Sequence, residues 1–206
     1  MAVEIEAKIR LGDDASVAAL VDALEAAGAH RVGVVLSTEV YLDRPDGSLQ
    51  MSDSGLRVRI QEPDEAPSAA TPGTGTGTAA ATAKAWVTFK GPREPGEFKV
   101  REEIESQIGD GEAVLALLSK LGYVPNVRYQ KRRETWRMDD CTVELDQVPL
   151  LGRFVEIEGP SEAAVSAVRK QLGLEATPVE KHAYVSLLMK ELKRRGDDRR
   201  VITLND

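Results

Sequence analysis

The sequence is poor in the residues that build disulfide frameworks and transition-metal sites. Its 206 residues include one cysteine, Cys141, and two histidines. A single cysteine excludes an internal disulfide and a cysteine-rich metal site, which is typical of proteins from a reducing cytoplasm. With two histidines, a histidine-based zinc site is disfavoured as well. Any metal site is therefore expected to use carboxylates, which prefer hard cations.

Long apolar runs and an excess of basic charge are also missing. No apolar run approaches the roughly 20 residues that a membrane-spanning helix needs, and the N-terminus begins with an acidic strand pattern rather than a signal peptide. The net charge of −7 disfavours duplex nucleic acid as a partner. The remaining composition, 42% hydrophobic and 30% charged, is typical of a soluble globular protein. We therefore expect a cytoplasmic protein with no nucleic-acid and no membrane partner.

The strongest pattern in the chain is an alternation of apolar and charged residues near its start. Residues 3–10 read VEIEAKIR, which places Glu4, Glu6 and Lys8 on one face of a predicted strand and apolar side chains on the other. Alone, this pattern suits an edge strand with a solvated charged face. It recurs, however, in nearly every later predicted strand, and so many charged faces cannot all be edges. We therefore predict a sheet that curls around a charged interior.

Helical spacing of apolar residues between the strands completes the predicted fold. The expected helices cover residues 13–27, 110–121, 161–172 and 180–194. Together the patterns predict an α+β fold: an eight-stranded antiparallel β-barrel or tunnel with a charged lumen and helices packed on its apolar outside. Residues 63–83, rich in Ala, Thr, Gly and Pro, are interpreted as a flexible loop insertion within a domain spanning 1–194. The tail, 195–206, is expected to be frayed, although 201–204 have the composition of a short strand.

The alternation assigns charges of both signs to the lumen. The positive set is Lys8, Arg57, Arg59, Lys90, Arg101, Lys131 and Arg133. The negative set is Glu4, Glu6, Glu103, Glu105, Glu144, Asp146, Glu156 and Glu158. Enclosed charges are costly unless they are paired or bind ions, and mutual salt bridging is one way to satisfy all of them.

A ligand is the alternative, because like charges neighbour each other along the sequence. Glu4 with Glu6 and Arg57 with Arg59 are examples of such pairs, and their repulsion is relieved when a ligand of opposite charge lies between them. Carboxylates suit Mg²⁺ or Mn²⁺, and arginine and lysine suit phosphate oxygens. A polyphosphate bound with one or two divalent metals would satisfy both sets.

Several motifs, taken in order, resemble the CYTH superfamily of triphosphate tunnel metalloenzymes. They are ExExK at 4–8, LRVRI at 56–60, TFKGP at 88–92, VREEIE at 100–105, KRR at 131–133, VELDQVPLLGRFVEIE at 143–158 and KHAYVSLL at 181–188. The resemblance extends from residue 3 to about 190 and is greatest to bacterial class IV adenylyl cyclases. The loop at 63–83 departs from the family pattern near one tunnel mouth.

The resemblance implies a tunnel that binds a triphosphate along its axis. It implies that Mg²⁺ or Mn²⁺ is held by Glu4, Glu6, Glu144, Asp146, Glu156 and Glu158. It implies that the phosphates are bound by Lys8, Arg57, Arg59, Lys90, Arg101, Lys131, Arg133 and Lys181. Catalytic roles are expected for Lys8, Arg59, Lys90 and Asp146. For Lys181, expected at the start of the last helix, an exposed lysine without a role in the site is the competing interpretation.

The reaction implied by the resemblance is the conversion of ATP to cyclic AMP and pyrophosphate. Hydrolysis of thiamine triphosphate or of inorganic triphosphate is the alternative, since these enzymes share the tunnel. A non-catalytic polyphosphate-binding module is a third reading. The sequence does not decide among the substrates, between a monomer and a homodimer, or what the 63–83 loop does.

Overall fold

The computed structural model describes residues 2–64 and 83–206, so almost all of the loop predicted at 63–83 lies outside the described residues. The strands are β1 (Ala2–Arg10), β2 (His30–Asp43), β3 (Gly55–Pro63), β4 (Lys84–Glu94), β5 (Lys99–Ile108), β6 (Val124–Met138), β7 (Cys141–Val148), β8 (Gly152–Glu158) and β9 (Val201–Ile202). The helices are α1 (Asp14–Ala26), α2 (Ser48–Met51), α3 (Gly111–Lys120), α4 (Glu162–Gln171) and α5 (Tyr184–Arg195).

Eight of the strands close into an antiparallel barrel. Their order is β2-β3-β4-β5-β1-β8-β7-β6, and β6 returns to pair with β2. This closing ladder runs from Asp43 opposite Val124 to His30 opposite Arg137. The predicted eight-stranded antiparallel barrel is confirmed, and β9 is added as a short strand parallel to β6.

The principal hydrophobic core lies outside the barrel wall. Because alternate side chains of a strand point to opposite faces, the apolar residues of β1 and β8 face outward, where α1 and α4 cover them. Ile9, Ile157, Leu24 of α1 and Val165 of α4 are all fully buried in this cluster. The helices therefore stabilise the barrel from outside and leave its interior available for charged side chains.

Helix α5 packs across one end of the barrel. A second cluster joins Leu188 and Leu192 of this helix to Tyr129 and Phe154. Tyr129 and Phe154 alternate in step with the lumen residues Lys131 and Glu156, so they are the inward-facing residues near that end of the wall. The charged interior is thus bounded on this side by an apolar plug.

Helices α1, α3 and α4 follow the predicted spacing, whereas the short α2 is not predicted and α5 begins later than expected. Side chains of Asp13, Asp110 and Ser161 cap α1, α3 and α4, as polar residues at this position commonly do. The predicted start of the last helix at residue 180 is wrong. The Glu180 N–H donates instead to the Lys8 carbonyl at 2.7 Å, so this segment runs along β1 before α5 begins at Tyr184.

The C-terminal tail folds back onto the barrel. The Arg128 N–H donates to the Arg200 carbonyl at 2.8 Å, and Ile202 is fully buried in the cluster around α5. The expectation of a frayed tail is therefore wrong around β9, and the predicted short strand is present. Within residues 2–64 and 83–206, no helix is both long enough and apolar enough to span a membrane.

Candidate functional site

The barrel encloses a charged cavity of about 610 Å³, a volume in the range of small-molecule sites. Fourteen of the fifteen side chains assigned to the lumen from the sequence line this cavity; Asp146 is the exception. They come from β1, β3, β4, β5, β6, β7 and β8, which approach one another only when the barrel closes. The central expectation, that acidic and basic side chains of separate strands converge in one hollow, is met by this geometry.

Asp146 and Lys181 are the two expected site residues that do not line the cavity. The buried Asp146 carboxylate accepts hydrogen bonds from Arg133 Nε at 2.7 Å and from Lys131 Nζ at 3.0 Å. Asp146 therefore holds the side chains of Lys131 and Arg133 in place from a position outside the cavity lining. The exposed Lys181 donates from Nζ to the Gly96 carbonyl at 2.7 Å, which ties the segment before α5 to the β4–β5 connection. This geometry favours the interpretation of Lys181 as a lysine outside the site.

Charges of opposite sign alternate in space, although like charges are neighbours in the sequence. Lys99 Nζ lies 3.3 Å from Glu4 Oε1 and 2.8 Å from Glu6 Oε2. Lys90 Nζ lies 3.1 Å from Glu4 Oε2 and 2.5 Å from Glu103 Oε2. The expectation that Glu4 and Glu6 repel each other until a ligand arrives is therefore wrong, because Lys99 already bridges them.

Cross-strand register produces this interleaving. Glu6 lies opposite Lys99 in the β1–β5 pair, and Lys8 lies opposite Glu156 in the β1–β8 pair, with 3.1 Å between Nζ and Oε1. Where β6, β7 and β8 lie side by side, Arg133 ion-pairs with Glu144, Asp146 and Glu156. Mutual salt bridging, the alternative considered from the sequence, therefore accounts for much of the lumen.

Salt bridges do not satisfy every buried polar group of the lumen. Within the described residues, five buried side-chain atoms have no hydrogen-bond partner: Glu6 Oε1, Glu39 Oε2, Arg57 Nε, Arg59 Nε and Tyr184 OH. The two carboxylate oxygens are ion-paired at 3.3 Å, Glu6 Oε1 with Lys8 Nζ and Glu39 Oε2 with the Arg57 guanidinium. The three donors have no partner of either kind in the described part of the chain, and Arg57, Arg59 and Tyr184 all line the cavity. Buried polar groups in native proteins are nearly always hydrogen-bonded, so such exceptions require an explanation. Their clustering at one cavity indicates a polar ligand.

Glu158 marks a local excess of negative charge at the cavity rim. It lies directly opposite Glu6 in the β1–β8 pair, and in the part of the chain that is described no cation pairs with its carboxylate. Partial burial, together with the nearby Glu144, Glu4, Glu6 and Glu103 carboxylates, raises the pKa of Glu158 to about 7. Here the repulsion between like charges that was expected from the sequence is present.

Glu39 is a lumen residue that the sequence analysis misses. It lies in β2 and is fully buried, and its Oε1 accepts a hydrogen bond from the Ser37 hydroxyl at 2.9 Å. Burial alone would raise the pKa of Glu39. The positive charges of Arg57 and, to a smaller extent, Lys131 outweigh this effect and lower the pKa to about 2. The carboxylate therefore remains ionised among the cations. The alternation Ser37, Glu39, Tyr41 is the same signal that located the other lumen residues, and it was available in the sequence.

Tyr184 and Lys99 are also absent from the expected site residues. Lys99 alternates in step with Arg101 and can be recognised in the same way as Glu39. Tyr184 carries no such signal, because it enters the cavity wall only through the path of α5 across the barrel end.

The donor set fits a hard divalent cation. Glu4, Glu6, Glu144, Glu156 and Glu158 all line the cavity and offer only oxygen ligands. Glu6 Oε1 accepts no hydrogen bond, although Lys8 Nζ lies 3.3 Å from it, and Glu158 is repelled by its carboxylate neighbours. In residues 2–64 and 83–206, no three His, Cys, Asp or Glu side chains are gathered closely enough to hold a metal as they stand. Lysines occupy the positions between the acids.

Comparison with known proteins gives concordant results. A protein-family model described as the CYTH domain matches residues 2–184. A Methanocaldococcus jannaschii protein provisionally named an adenylate cyclase is 28% identical over 158 residues, 76% of each chain. A structure from Pyrococcus horikoshii OT3 superposes with a TM-score of 0.72 at 23% identity, covering 91% of this chain and 99% of its own.

A plant protein shares the fold as well. The Hippeastrum protein HpAC1 is provisionally named an adenylyl cyclase and is described as having a dominant triphosphatase activity. Its structure superposes with a TM-score of 0.67 at 20% identity, covering 94% of this chain and 96% of its own. At this level of identity the likeness shows a common fold.

Proposed function

Since the chain belongs to the CYTH domain family, we propose that it is a divalent-metal-dependent enzyme acting on a triphosphate in the charged cavity. The reaction we assign is the conversion of ATP to cyclic AMP and pyrophosphate. The observation that carries the proposal is a group of three buried donors without hydrogen-bond partners in the described residues: Arg57 Nε, Arg59 Nε and the Tyr184 hydroxyl, all on residues that line this cavity. A triphosphate supplies the acceptors that these donors lack, and its metal supplies positive charge beside the repelled Glu158 carboxylate.

The basic side chains bind and orient the phosphates. Arg57 and Arg59 each have an Nε–H without an acceptor, so both can donate charge-assisted hydrogen bonds to phosphate oxygens. Burial alone would lower the pKa of Lys8, but Glu6 and Glu156 raise it above its usual value, so this lysine stays charged. Cations held in a partly desolvated cavity stabilise the negative charge that develops on the departing pyrophosphate.

The acidic side chains have two different tasks. Glu4, Glu6, Glu144, Glu156 and Glu158 would hold Mg²⁺ or Mn²⁺, and when bound the cation supplies Lewis-acid activation of the attacking 3′-hydroxyl. Asp146 is assigned to positioning rather than to metal binding, because both of its oxygens are engaged by Lys131 and Arg133.

Lys90 and Arg59 are assigned to the reacting phosphate as catalytic residues, together with Lys8. Lys90 Nζ is held by Glu4 and Glu103, at 3.1 and 2.5 Å. Arg59 donates from its terminal nitrogen to both oxygens of Glu105 at 3.0 Å. Each cation is therefore oriented before the substrate arrives, which lowers the cost of reorganisation during the reaction.

Hydrolysis of a triphosphate is the second candidate function. It uses the same cavity, with water attacking the terminal phosphorus in place of a ribose hydroxyl. The Hippeastrum neighbour, described as having dominant triphosphatase activity, favours this candidate, whereas the name of the Methanocaldococcus relative favours a cyclase. A simple polyphosphate binder is less well supported, because phosphate binding gains nothing from a repelled carboxylate such as Glu158.

Product identification separates these functions. Purified protein is incubated with ATP, thiamine triphosphate or tripolyphosphate, with Mg²⁺, Mn²⁺ or neither, and the products are resolved by chromatography. Metal-dependent formation of cyclic AMP and pyrophosphate supports the cyclase. Orthophosphate without cyclic AMP overturns it in favour of a triphosphatase. Binding without turnover under any metal identifies a binding module.

Replacing Arg59 tests the assignment of the basic wall. Arg59→Ala is expected to weaken tripolyphosphate binding by at least about tenfold, because it removes a charge-assisted donor. Isothermal titration calorimetry measures the change. Arg128→Ala is the matched control, since Arg128 pairs with Glu112 at 3.0 Å on the exterior and should leave the affinity unchanged. Wild-type affinity in Arg59→Ala would remove Arg59 from the site.

A further inference from the structure

Tyr184 occupies a wall of the cavity as the first residue of α5. The residue is 4% exposed and lines the cavity. Its ring meets the Phe154 ring edge to face, with 5.1 Å between centroids and an interplanar angle of 72°. The ring thus belongs to the apolar plug formed by Leu188, Leu192 and their neighbours. Packing of the ring fixes the residue, and this packing does not depend on the hydroxyl.

The Tyr184 hydroxyl has no assigned partner. The oxygen is buried and makes no hydrogen bond with any residue of the described chain, although buried tyrosine hydroxyls usually find a partner. Burial, together with the nearby Asp146 and Glu156 carboxylates, raises the pKa of Tyr184 well above its usual value. The hydroxyl therefore keeps its proton at neutral pH and is available as a donor.

Two lysines of the basic wall lie against the same ring. Lys8 Nζ is 4.3 Å from the Tyr184 ring centroid, and Lys131 Nζ is 5.0 Å from it. Cations at these distances are attracted to the face of an aromatic ring. The ring therefore brings ammonium groups from β1 and β6 to one side of the cavity, beside an unused hydroxyl donor.

We propose that Tyr184 is a substrate-binding residue, whose hydroxyl donates a hydrogen bond to a phosphate oxygen held between Lys8 and Lys131. Its ring also acts as a positioning group for the two ammonium groups. The inference rests on the proposed function, because it adds a residue to the same triphosphate site. Neighbouring side chains cover the hydroxyl, so they must turn toward the anion when it binds, which flexible lysine side chains allow.

Tyr184→Phe isolates the hydroxyl, since it keeps the ring. We expect the dissociation constant for tripolyphosphate, measured by calorimetry, to rise by about tenfold or more, as for the loss of a hydrogen bond to a charged group. The melting temperature of the ligand-free variant should equal or exceed that of the wild type, because an unsatisfied buried hydroxyl has been removed. A purely structural tyrosine would behave in the opposite way: the melting temperature would fall and the affinity would stay.

Two further variants complete the test. Tyr123→Phe is the matched control, because Tyr123 packs in the cluster beside α3, away from the cavity, and should change neither quantity. Tyr184→Leu also removes the ring, and is expected to weaken binding more than Tyr184→Phe does.

The possible failures are distinguishable. If the wild type binds tripolyphosphate and Tyr184→Phe binds it equally well, the role of the hydroxyl is overturned and the proposed function stands. If the wild type binds no triphosphate with or without Mg²⁺, the proposed function fails and this inference fails with it.

Discussion

The outer and inner faces of the same strands follow different physical rules. On the outer face of β8, Ile157 is fully buried in an apolar cluster under the helices. On the inner face, the next residue, Glu158, stands among carboxylates that raise its pKa to about 7. The outer face has the composition of an ordinary core, whereas the inner face holds charges and the buried atoms that lack partners. The largest apolar cluster therefore lies outside the wall, and the inside carries the charged groups of the candidate site.

Neighbouring substitutions in β8 test this division most strongly. Ile157→Ala should lower the free energy of unfolding by about 4 kcal/mol, because it leaves a cavity in a closely packed cluster, while turnover per folded molecule is kept. Glu158→Gln should leave the unfolding free energy at about pH 8 unchanged or raised, since it removes a repelled charge. Its metal-dependent turnover should fall by at least about tenfold, because a proposed metal ligand is lost.

Denaturant unfolding and metal-dependent turnover, measured on both variants, check these expectations. Val155→Ala in the same strand is a control for Ile157→Ala, because Val155 also faces outward and is fully buried. It should be destabilising without loss of turnover per folded molecule. The division between the faces would be refuted if Glu158→Gln destabilised the protein as much as Ile157→Ala does, with turnover intact.

A second test asks how far the inner face contributes to stability through its charges. The folded state lowers the pKa of Glu39 to about 2, from 4.5 in the absence of the protein environment. A lowered carboxyl pKa stabilises the fold fully above the unfolded value, and this contribution is lost as the pH falls from about 4.5 through the folded value near 2. Glu39→Gln should therefore be less stable than the wild type by about 3 kcal/mol near pH 7.

The difference between Glu39→Gln and the wild type should shrink to less than half near pH 3, as follows from these two pKa values. Denaturant unfolding at a series of pH values measures it. Glu112→Gln is the control, because its pair with Arg128 is on the surface and such pairs contribute little. A difference that stays constant between about pH 7 and pH 3 would mean that the Glu39 charge is not what stabilises the basic wall.

The sequence shows which side chains of a strand share a face, but it does not show which side chains of other strands they contact. Alternation with a period of two is a local property, so it places Glu4, Lys8 and Arg133 in the lumen without further information. Register between distant strands is not local, and it alone decides that Lys99 stands between Glu4 and Glu6. The sequence therefore predicts which charged side chains face the barrel interior, but it does not predict which of them pair with one another.

The start of α5 is likewise set by a long-range contact that the local sequence does not reveal. Its apolar spacing predicts a helix from residue 180, yet the Glu180 N–H is engaged by the carbonyl of Lys8, 172 positions earlier in the chain. This long-range hydrogen bond sets where the helix begins, and so it sets the position of Tyr184 at the cavity. No local pattern could have placed Tyr184 there.

The smallest expected effect on tripolyphosphate affinity comes from a cation–π contact that supports Arg59 on the inner face of the barrel. The Arg59 guanidinium lies 4.9 Å from the centroid of the Trp86 ring, and these residues are paired across β3 and β4. Trp86→Leu should weaken tripolyphosphate binding by about two- to fivefold, because a cation–π contact at a partly exposed site is worth about 0.5–1 kcal/mol. Phe89→Leu is the matched control, since Phe89 faces outward from the same strand. If both variants lost affinity equally in calorimetry, the effect would be transmitted through packing of β4 and not through Arg59, and the separation of the two faces would be weaker than the structure indicates.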